Sequence, residues 1–260
     1  MYLTAAAFWL MYVGGVCAAL VNPLAGVLVY IVVYHMNPET QWWGESVRAL
    51  QLRTSLIAAL AAGTGLLIRW PRLEHGAKQF PAPFVLALLF GIIALASSTW
   101  AVDQTERGDY QAEKFVKILI MLFILIRCVR SPLHYQLVIL AWIVGVAYVG
   151  YEANGGAGHA VGGRLTSGVG GSDFAESSGL ATHLVATLPL IGAVFFMARS
   201  WWGRLFALAT GALAVNTLVM TRTRNALAGL AVIVITGVLS LPRSYRLKGL
   251  AAVVAGTLLA

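Results

Sequence analysis

The chain has 260 residues, of which 59% are hydrophobic and only 11% are charged. Soluble domains usually carry about 25% charged residues, so this composition excludes an ordinary water-soluble globule. The net charge of +8 does not indicate a nucleic-acid-binding protein either, because the basic residues are spread between apolar segments and form no single patch.

Long apolar segments follow one another along the whole chain. They are rich in Leu, Ala, Val and Ile and lack the alternation of a β-barrel, so each predicts a helix. We therefore predict an all-α, polytopic transmembrane helical bundle of about 9–10 helices, in a single integral membrane domain over residues 1–260. The predicted segments are Thr4–Val21, Leu24–Met36, Thr54–Ile68, Pro83–Ser98, Tyr110–Ile126, Leu133–Tyr151, Gly179–Ala198, Gly203–Met220, Asn225–Leu241 and Leu247–Ala260.

The stretch Gln41–Arg53, between the second and third segments, combines tryptophans with polar residues. Trp42, Trp43 and Val47 lie there among charged and polar side chains. Because tryptophan rings favour the boundary between membrane and water, we predict a short helix that lies in this interface.

The basic residues set the predicted orientation. The connections after the third, fifth, seventh and ninth segments hold ten Lys or Arg residues and one acid, whereas the remaining connections hold eight basic residues and nine acids. Lys and Arg are enriched in cytoplasmic loops, so we place the first set of connections in the cytoplasm and the second set outside. The chain then begins outside.

The longest polar interval, about 152–178, falls on the outer side in this topology. Its part between Asn154 and Gly171 contains eight glycines and Arg164. No predicted strand precedes it, so a Rossmann or Walker nucleotide motif does not apply. Glycine backbone can approach an anion closely, and a guanidinium suits phosphate, so an anion-binding loop is one interpretation. A flexible external loop without a ligand is the other.

A tight turn, Thr221–Asn225, joins the eighth and ninth segments and holds Arg222 and Arg224. Basic residues are disfavoured on the outer side, so two of them there call for an explanation. They also precede a helix whose N-terminus favours anions. Together with Arg164 they predict a cationic site for a lipid-linked phosphate or pyrophosphate. Anchoring to lipid headgroups is the alternative.

Two acids, Asp173 and Glu176, stand at the start of the seventh segment. A carboxylate there caps free backbone N–H groups, and capping is one predicted role. The other is to orient Arg164 or Arg224.

The histidines and cysteines show no pattern of a reactive site. His35, His159 and His183 have no companion at the spacing of a nucleophile or a metal ligand. Cys17 and Cys128 provide neither a disulfide framework nor a metal motif. From the residues, no catalytic residue, metal site or cofactor is predicted.

Three short stretches, in order along the chain, resemble the O-antigen ligase and polymerase superfamily, and more narrowly the ligase-like proteins associated with exosortase systems. Tyr34–Pro38, followed by Trp43 and a glycine, resembles the subgroup's Tyr-x-Met-Asn-Pro signature and downstream Trp-Gly. The interval from Gly163 to Asp173, leading into Leu188–Leu190, is similar to its glycine-rich loop and the acidic start of the next helix.

The third stretch is Thr221–Leu227, which resembles a family turn of the form Thr-x-Ser-Arg-Gly-Ala. Arg224 falls on the family arginine, while Thr223 replaces serine and Asn225 replaces glycine.

The resemblance implies a metal-independent glycosyltransferase without a cofactor, in the bacterial cytoplasmic (inner) membrane. It implies transfer of a glycan from an undecaprenyl-pyrophosphate carrier to a lipid, glycan or protein acceptor outside that membrane. Arg164 and Arg224 would hold the pyrophosphate, joined by Arg222 from the same turn, with Asp173, Glu176 and Thr223 in support. Surrounding membrane lipids would be the other partner, and no nucleic acid is expected.

In the family, a periplasmic loop with the histidine thought to act as general base follows the helix after the arginine turn. We therefore expect these 260 residues to be the N-terminal part of a longer ligase-like fold, whose activity depends on that loop. Two alternatives stay open: a transporter or flippase of a lipid-linked or anionic substrate, and a non-catalytic truncated subunit.

Overall fold

The structure, a computed structural model, describes residues 3–73, 81–100, 106–167, 169–170, 174 and 176–240. These residues form ten α-helices and one short β-hairpin, which confirms the predicted all-α membrane fold. In chain order the elements are α1 (Leu3–Val21), α2 (Pro23–Met36), α3 (Glu45–Ala49), α4 (Thr54–Leu73), α5 (Ala82–Thr99), α6 (Glu106–Cys128), α7 (Pro132–Asn154), β1 (His159–Val161), β2 (Arg164–Ser167), α8 (Ser177–Met197), α9 (Trp201–Thr221) and α10 (Arg224–Ser240).

Four of these helices, α1, α7, α8 and α9, are long and apolar enough to cross a membrane. Only 22–28% of the apolar stretch of each is buried against protein, so most of its surface suits lipid tails rather than water. Shorter apolar helices are α2, α5, α10 and the greater part of α4. The described residues therefore form a polytopic helical membrane protein.

The contacts divide the chain into two compact units. One comprises Met1–Val33 and Gln41–Ala141, and the other comprises Tyr34–Thr40 and Trp142–Ala260. The second unit contains both the glycine-rich interval and the arginine turn, so the predicted site lies within one unit.

In the first unit, small residues let helices approach closely. A Cβ atom added to Gly26 of α2 would lie 2.8 Å from the Cβ of Ala62 in α4. Small residues at such contacts allow the van der Waals packing on which membrane helices depend. The buried Tyr12 of α1 also donates a hydrogen bond of 2.9 Å to the backbone carbonyl of Thr54.

The stretch Gln41–Arg53 is helical only over Glu45–Ala49, so the helix is shorter than predicted. Its faces differ as an amphipathic segment requires. Within this helix Val47 is buried, whereas the charged Glu45 and Arg48 are exposed.

In the second unit, α8 and α9 pack along each other and α10 packs on α8. A Cβ on Gly229 of α10 would lie 2.9 Å from the side chain of Val185 in α8. The indole N–H of Trp142 in α7 donates a hydrogen bond of 3.1 Å to the hydroxyl of Thr187 in α8. A close glycine contact and this interhelical hydrogen bond thus help to hold these helices together.

The interval predicted as a loop contains a β-hairpin, which the sequence analysis missed. Val161 pairs with Arg164, and the two residues between them are Gly162 and Gly163. Their φ angles are +57° and +73°, and a two-residue hairpin turn of type I′ requires positive φ at both positions. Glycine adopts these angles without steric cost, so this pair determines where the chain reverses.

The stretch Tyr34–Pro38 ends helix α2. Asn37, directly after the last helical residue, has φ +39°, and asparagine is one of the few residues that tolerate this region at a helix end. Pro38 cannot continue a helix. The Met-Asn-Pro part of the stretch therefore has a structural role as a helix stop.

Helix α6 begins at Glu106, four residues before the predicted start at Tyr110. In its early turns Lys117 forms an ion pair of 2.5 Å with Glu113, and both side chains are more than half exposed. The predicted last segment, Leu247–Ala260, lies outside the described residues.

Candidate anion-binding site

The arginine turn, Thr221–Asn225, is a sharp break between α9 and α10. Arg222 has φ +49° and ψ +35°, the left-handed conformation, and its backbone N–H bonds to the carbonyl of Val219 at 3.1 Å. For a residue other than glycine this conformation costs about 1–2 kcal/mol. It ends α9 and lets Arg224 begin α10 two residues later.

The β-hairpin and the arginine turn hold each other through two crossed hydrogen bonds. Nε of Arg164, on the hairpin, donates to the carbonyl of Thr221 at 3.2 Å. Nη1 of Arg222, on the turn, donates to the carbonyl of Gly162 at 3.2 Å. The structure therefore brings together two arginines that are 58 residues apart in the chain.

One of these contacts also caps a helix. Thr221 is the last residue of α9, where backbone carbonyls lack partners within the helix and the dipole is negative. A guanidinium stabilises such an end, so Arg164 has a structural role there. Because this contact uses Nε alone, the two terminal nitrogens of Arg164 remain able to donate to an anion.

The site has excess positive charge. Arg164, Arg222 and Arg224 are all exposed, and none pairs with a carboxylate among the residues that the structure describes. The first N–H groups of α10 add the positive end of a helix dipole next to them. The guanidinium groups of Arg164 and Arg222, next to a helix N-terminus that begins with Arg224, favour a multiply charged anion.

Of the three residues predicted to support the site, Thr223 lies within the arginine turn and Glu176 lies at the start of α8. The hydroxyl of the half-buried Thr223 donates to the carbonyl of Thr221 at 3.4 Å, within the turn. Glu176 occupies the N-cap position of α8, but its side chain makes no capping hydrogen bond. Asp173 lies outside the described residues.

A polar network supports the end of α9 one turn before the site. The amide Nδ2 of Asn154, the last residue of α7, donates to Oγ1 of Thr217 at 2.9 Å and lies 3.3 Å from the carbonyl of Leu213. Asn216 donates in turn to the Asn154 side-chain carbonyl. These bonds fix α7 to the part of α9 that carries the arginine turn.

The structure also brings together two histidines that the sequence analysis left without a companion. His35, at the end of α2, and His183, in α8, face each other with 3.1 Å between their Nε2 atoms. They are 148 residues apart, so no local spacing could have predicted the pair.

Comparisons of the chain with known protein families, with curated proteins and with solved structures found no match. The function of the chain is therefore inferred from the site itself and from the resemblance of the short stretches described above.

Proposed function

We propose that this chain belongs to an O-antigen ligase-like glycosyltransferase of the bacterial cytoplasmic membrane. In this proposal Arg164, Arg222 and Arg224 bind the pyrophosphate of an undecaprenyl-pyrophosphate-linked glycan on the outer side of that membrane. The glycan is then transferred to a lipid, glycan or protein acceptor. The observation that supports it best is the crossed contact of hairpin and turn, which brings Arg164 and Arg222 together without an acidic partner among the described residues, two residues before Arg224 begins α10.

The chemistry of the donor fits such a site. When the bond between sugar and pyrophosphate breaks, negative charge grows on the leaving oxygen. Planar guanidinium groups that already hold the pyrophosphate stabilise this charge, and a helix N-terminus adds to the effect. The carrier is an isoprenoid lipid, so a site at the end of a spanning helix keeps its tail in the membrane and its head group at the surface.

The position of the charges favours this function over a transporter. Transporters place ionisable residues at mid-membrane depth along the substrate path. In the four long apolar helices, Lys, Arg, Asp and Glu occur only near the ends, at Glu152 in α7 and Arg204 in α9. The histidines of these helices, His134 and His183, lie within the first two turns of α7 and α8.

Binding of the donor by arginine variants tests the proposal. Each arginine that donates to a phosphate contributes about 1.5–3 kcal/mol, which corresponds to a roughly 10–150-fold change in Kd. We therefore expect Arg164→Ala, Arg222→Ala and Arg224→Ala each to weaken binding of an undecaprenyl-pyrophosphate glycan to the purified chain by such a factor. Membrane insertion should not change.

Arg204→Ala is the matched control. Arg204 also donates from Nε to a carbonyl at a helix end, that of Ala198 at 3.0 Å, but it lies at the opposite end of α9. Its removal tests the loss of an arginine cap without touching the proposed site. Equal donor binding in the wild type and in the three site variants would refute the proposal, and so would an equal loss in the control.

A further inference from the structure

Asn216 is an exposed amide on the membrane-spanning helix α9. It lies five residues before the helix ends at Thr221, which corresponds to about 7.5 Å along the axis. Helix α9 is about as long as the hydrocarbon core of a bilayer is thick, about 30 Å. Asn216 therefore lies inside that core, and its exposed side chain faces lipid tails rather than water.

The hydrogen-bonding capacity of this amide is only partly used. Its Nδ2 group donates one hydrogen bond to Oδ1 of Asn154. Its own Oδ1 and its second amide hydrogen have no partner among the residues that the structure describes. Because Asn154 is itself bonded to Gly150 and Thr217, Asn216 cannot turn toward the membrane surface without losing this bond.

Other exposed polar side chains on the apolar helices are satisfied within their own helix. The hydroxyl of Thr236 donates to the carbonyl of Val232 at 2.7 Å, and the hydroxyl of Thr182 donates to the carbonyl of Ser178 at 2.9 Å. Lipid tails offer no hydrogen bonds, and an unpaired polar group in hydrocarbon is costly. Asn216 therefore requires a polar partner from outside the described chain, at the same depth in the membrane.

A second copy of this chain is the partner that meets this requirement. Copies of one chain have the same orientation in a membrane, because the sequence sets that orientation. A two-fold axis between two copies then runs along the membrane normal, so that Asn216 of one copy and Asn216 of the other lie at the same depth. An amide carries both donors and an acceptor, so two such groups complement each other.

The surface of α9 around Asn216 allows another helix to approach. Ala212, one turn before Asn216, is exposed, and Val219, about one turn after it, is 54% exposed. Small side chains on such a face permit the close packing on which membrane helices depend. We propose that α9 pairs with α9 of a second copy, and that the two Asn216 amides exchange hydrogen bonds across the axis. This pairing does not depend on the donor site proposed above.

Förster transfer between copies in lipid vesicles tests the pairing. Both native cysteines are replaced, and donor and acceptor dyes are attached at Arg199→Cys, an exposed position just before α9. We expect transfer between wild-type chains that falls as the protein is diluted in lipid. Asn216→Leu removes two interhelical hydrogen bonds and should weaken association about tenfold. Asn216→Gln keeps the amide and should associate more tightly than Asn216→Leu.

Gln136→Leu is the matched control. Gln136 is also an exposed amide on a membrane-spanning helix, but it lies four residues after the start of α7. Its replacement should leave association unchanged. A wild-type chain that stays monomeric at the highest protein content would overturn the proposal, as would an Asn216→Leu variant that associates like the wild type. An equal loss in the control would do the same, and so would equal association of the leucine and glutamine variants.

Disulfide formation between copies tests the same face with Asn216 intact, and so does not depend on the folding of its variants. In a chain without native cysteines, Ala212→Cys should form an intermolecular disulfide on mild oxidation. Ala193→Cys, at an exposed position of α8, should form far less. Equal yields at the two positions would show that contacts between copies are random, and would contradict a specific α9 pair.

Discussion

Asn154 is the residue whose replacement should most clearly weaken the support of the arginine turn. Its Nδ2 group donates to the carbonyl of Gly150 at 2.7 Å within α7 and to Thr217 Oγ1 at 2.9 Å in α9. It also lies 3.3 Å from the carbonyl of Leu213. Asn154→Ala removes this connection between α7 and α9.

The expected loss follows from the number and kind of these bonds. Interhelical hydrogen bonds in membrane proteins contribute about 0.6 kcal/mol on average and up to about 1.7 kcal/mol. Asn154 takes part in two such bonds between α7 and α9, one with Thr217 and one with Asn216. We therefore expect Asn154→Ala to lower the free energy of unfolding by about 1–2 kcal/mol. The carbonyl of Leu213 keeps a partner, because the Thr217 hydroxyl also donates to it, and this limits the loss.

Asn154→Asp should be more harmful than Asn154→Ala. The carboxylate would place an oxygen without a donor where Nδ2 now faces three oxygen acceptors, and only its other oxygen would keep a donor, Asn216. A charged group that is only partly hydrogen-bonded costs more than a lost bond. We expect a loss of about 2–3 kcal/mol. Asn216→Ala removes only the exposed end of the network and should cost about 0.5 kcal/mol or less.

Reversible unfolding of the purified chain in mixed detergent, followed by circular dichroism, measures these differences. The order predicted for the loss of stability is Asn154→Asp, then Asn154→Ala, then Asn216→Ala. An Asn154→Ala variant as stable as the wild type, or an Asn216→Ala variant that loses more, would refute the assignment of these bonds.

Two further predictions concern glycines. Gly145→Ala forces a methyl group into the His35 ring and should lower the free energy of unfolding by about 1–3 kcal/mol, while Gly192→Ala, which has open space, should not lower it in the same unfolding experiment. Gly162→Ala and Gly163→Ala both place a side chain at positive φ, but only the second brings its Cβ to 3.2 Å from a guanidinium of the arginine turn. Gly163→Ala should therefore weaken donor binding more than Gly162→Ala does, measured on the same purified chain.

The membrane helices could be predicted from the sequence because their signal is local. An apolar segment long enough to span a membrane has few alternatives to a helix, and the first nine predicted segments each correspond to a helix in the structure. Their ends shift by a few residues, since a polar residue such as Glu106 can extend a helix beyond its apolar part.

The meeting of Arg164 and Arg222 could be predicted in part. Both lie in connections that the charge count places on the same side of the membrane. The crossed bonds could not be predicted, because they depend on the hairpin turn at Gly162 and Gly163. That turn did have a local signal, two adjacent glycines between short stretches able to pair.

The histidine pair had no such signal. His35 and His183 belong to different helices, and each looks like an isolated polar residue in an apolar segment. Only the packing of α2, α7 and α8 side chains around Phe174 reveals that they face each other. Contacts of this kind depend on tertiary structure and leave no periodic pattern in a single sequence.

The arginine turn can lie outside the membrane or in the cytoplasm, and the two positions have different meanings. Outside, its arginines call for a ligand; in the cytoplasm, they follow the usual excess of basic residues. Helix α9 has 21 residues and so spans about 31 Å, which places Ser200 and Asn225 on opposite sides. In a chain whose two native cysteines are replaced, Asn225→Cys should react with a membrane-impermeant maleimide added from outside. Ser200→Cys should react only after lysis.

The opposite labelling would put Arg222 and Arg224 in the cytoplasm. They would then follow the usual excess of basic residues on that side and would need no ligand to explain them. If the turn faces outward, Arg222 and Arg224 lie on the side where positive charge is disfavoured. They then stand between the end of the membrane-spanning helix α9 and the N-terminus of α10. A bound anion at the membrane surface is the simplest physical reason for such a position.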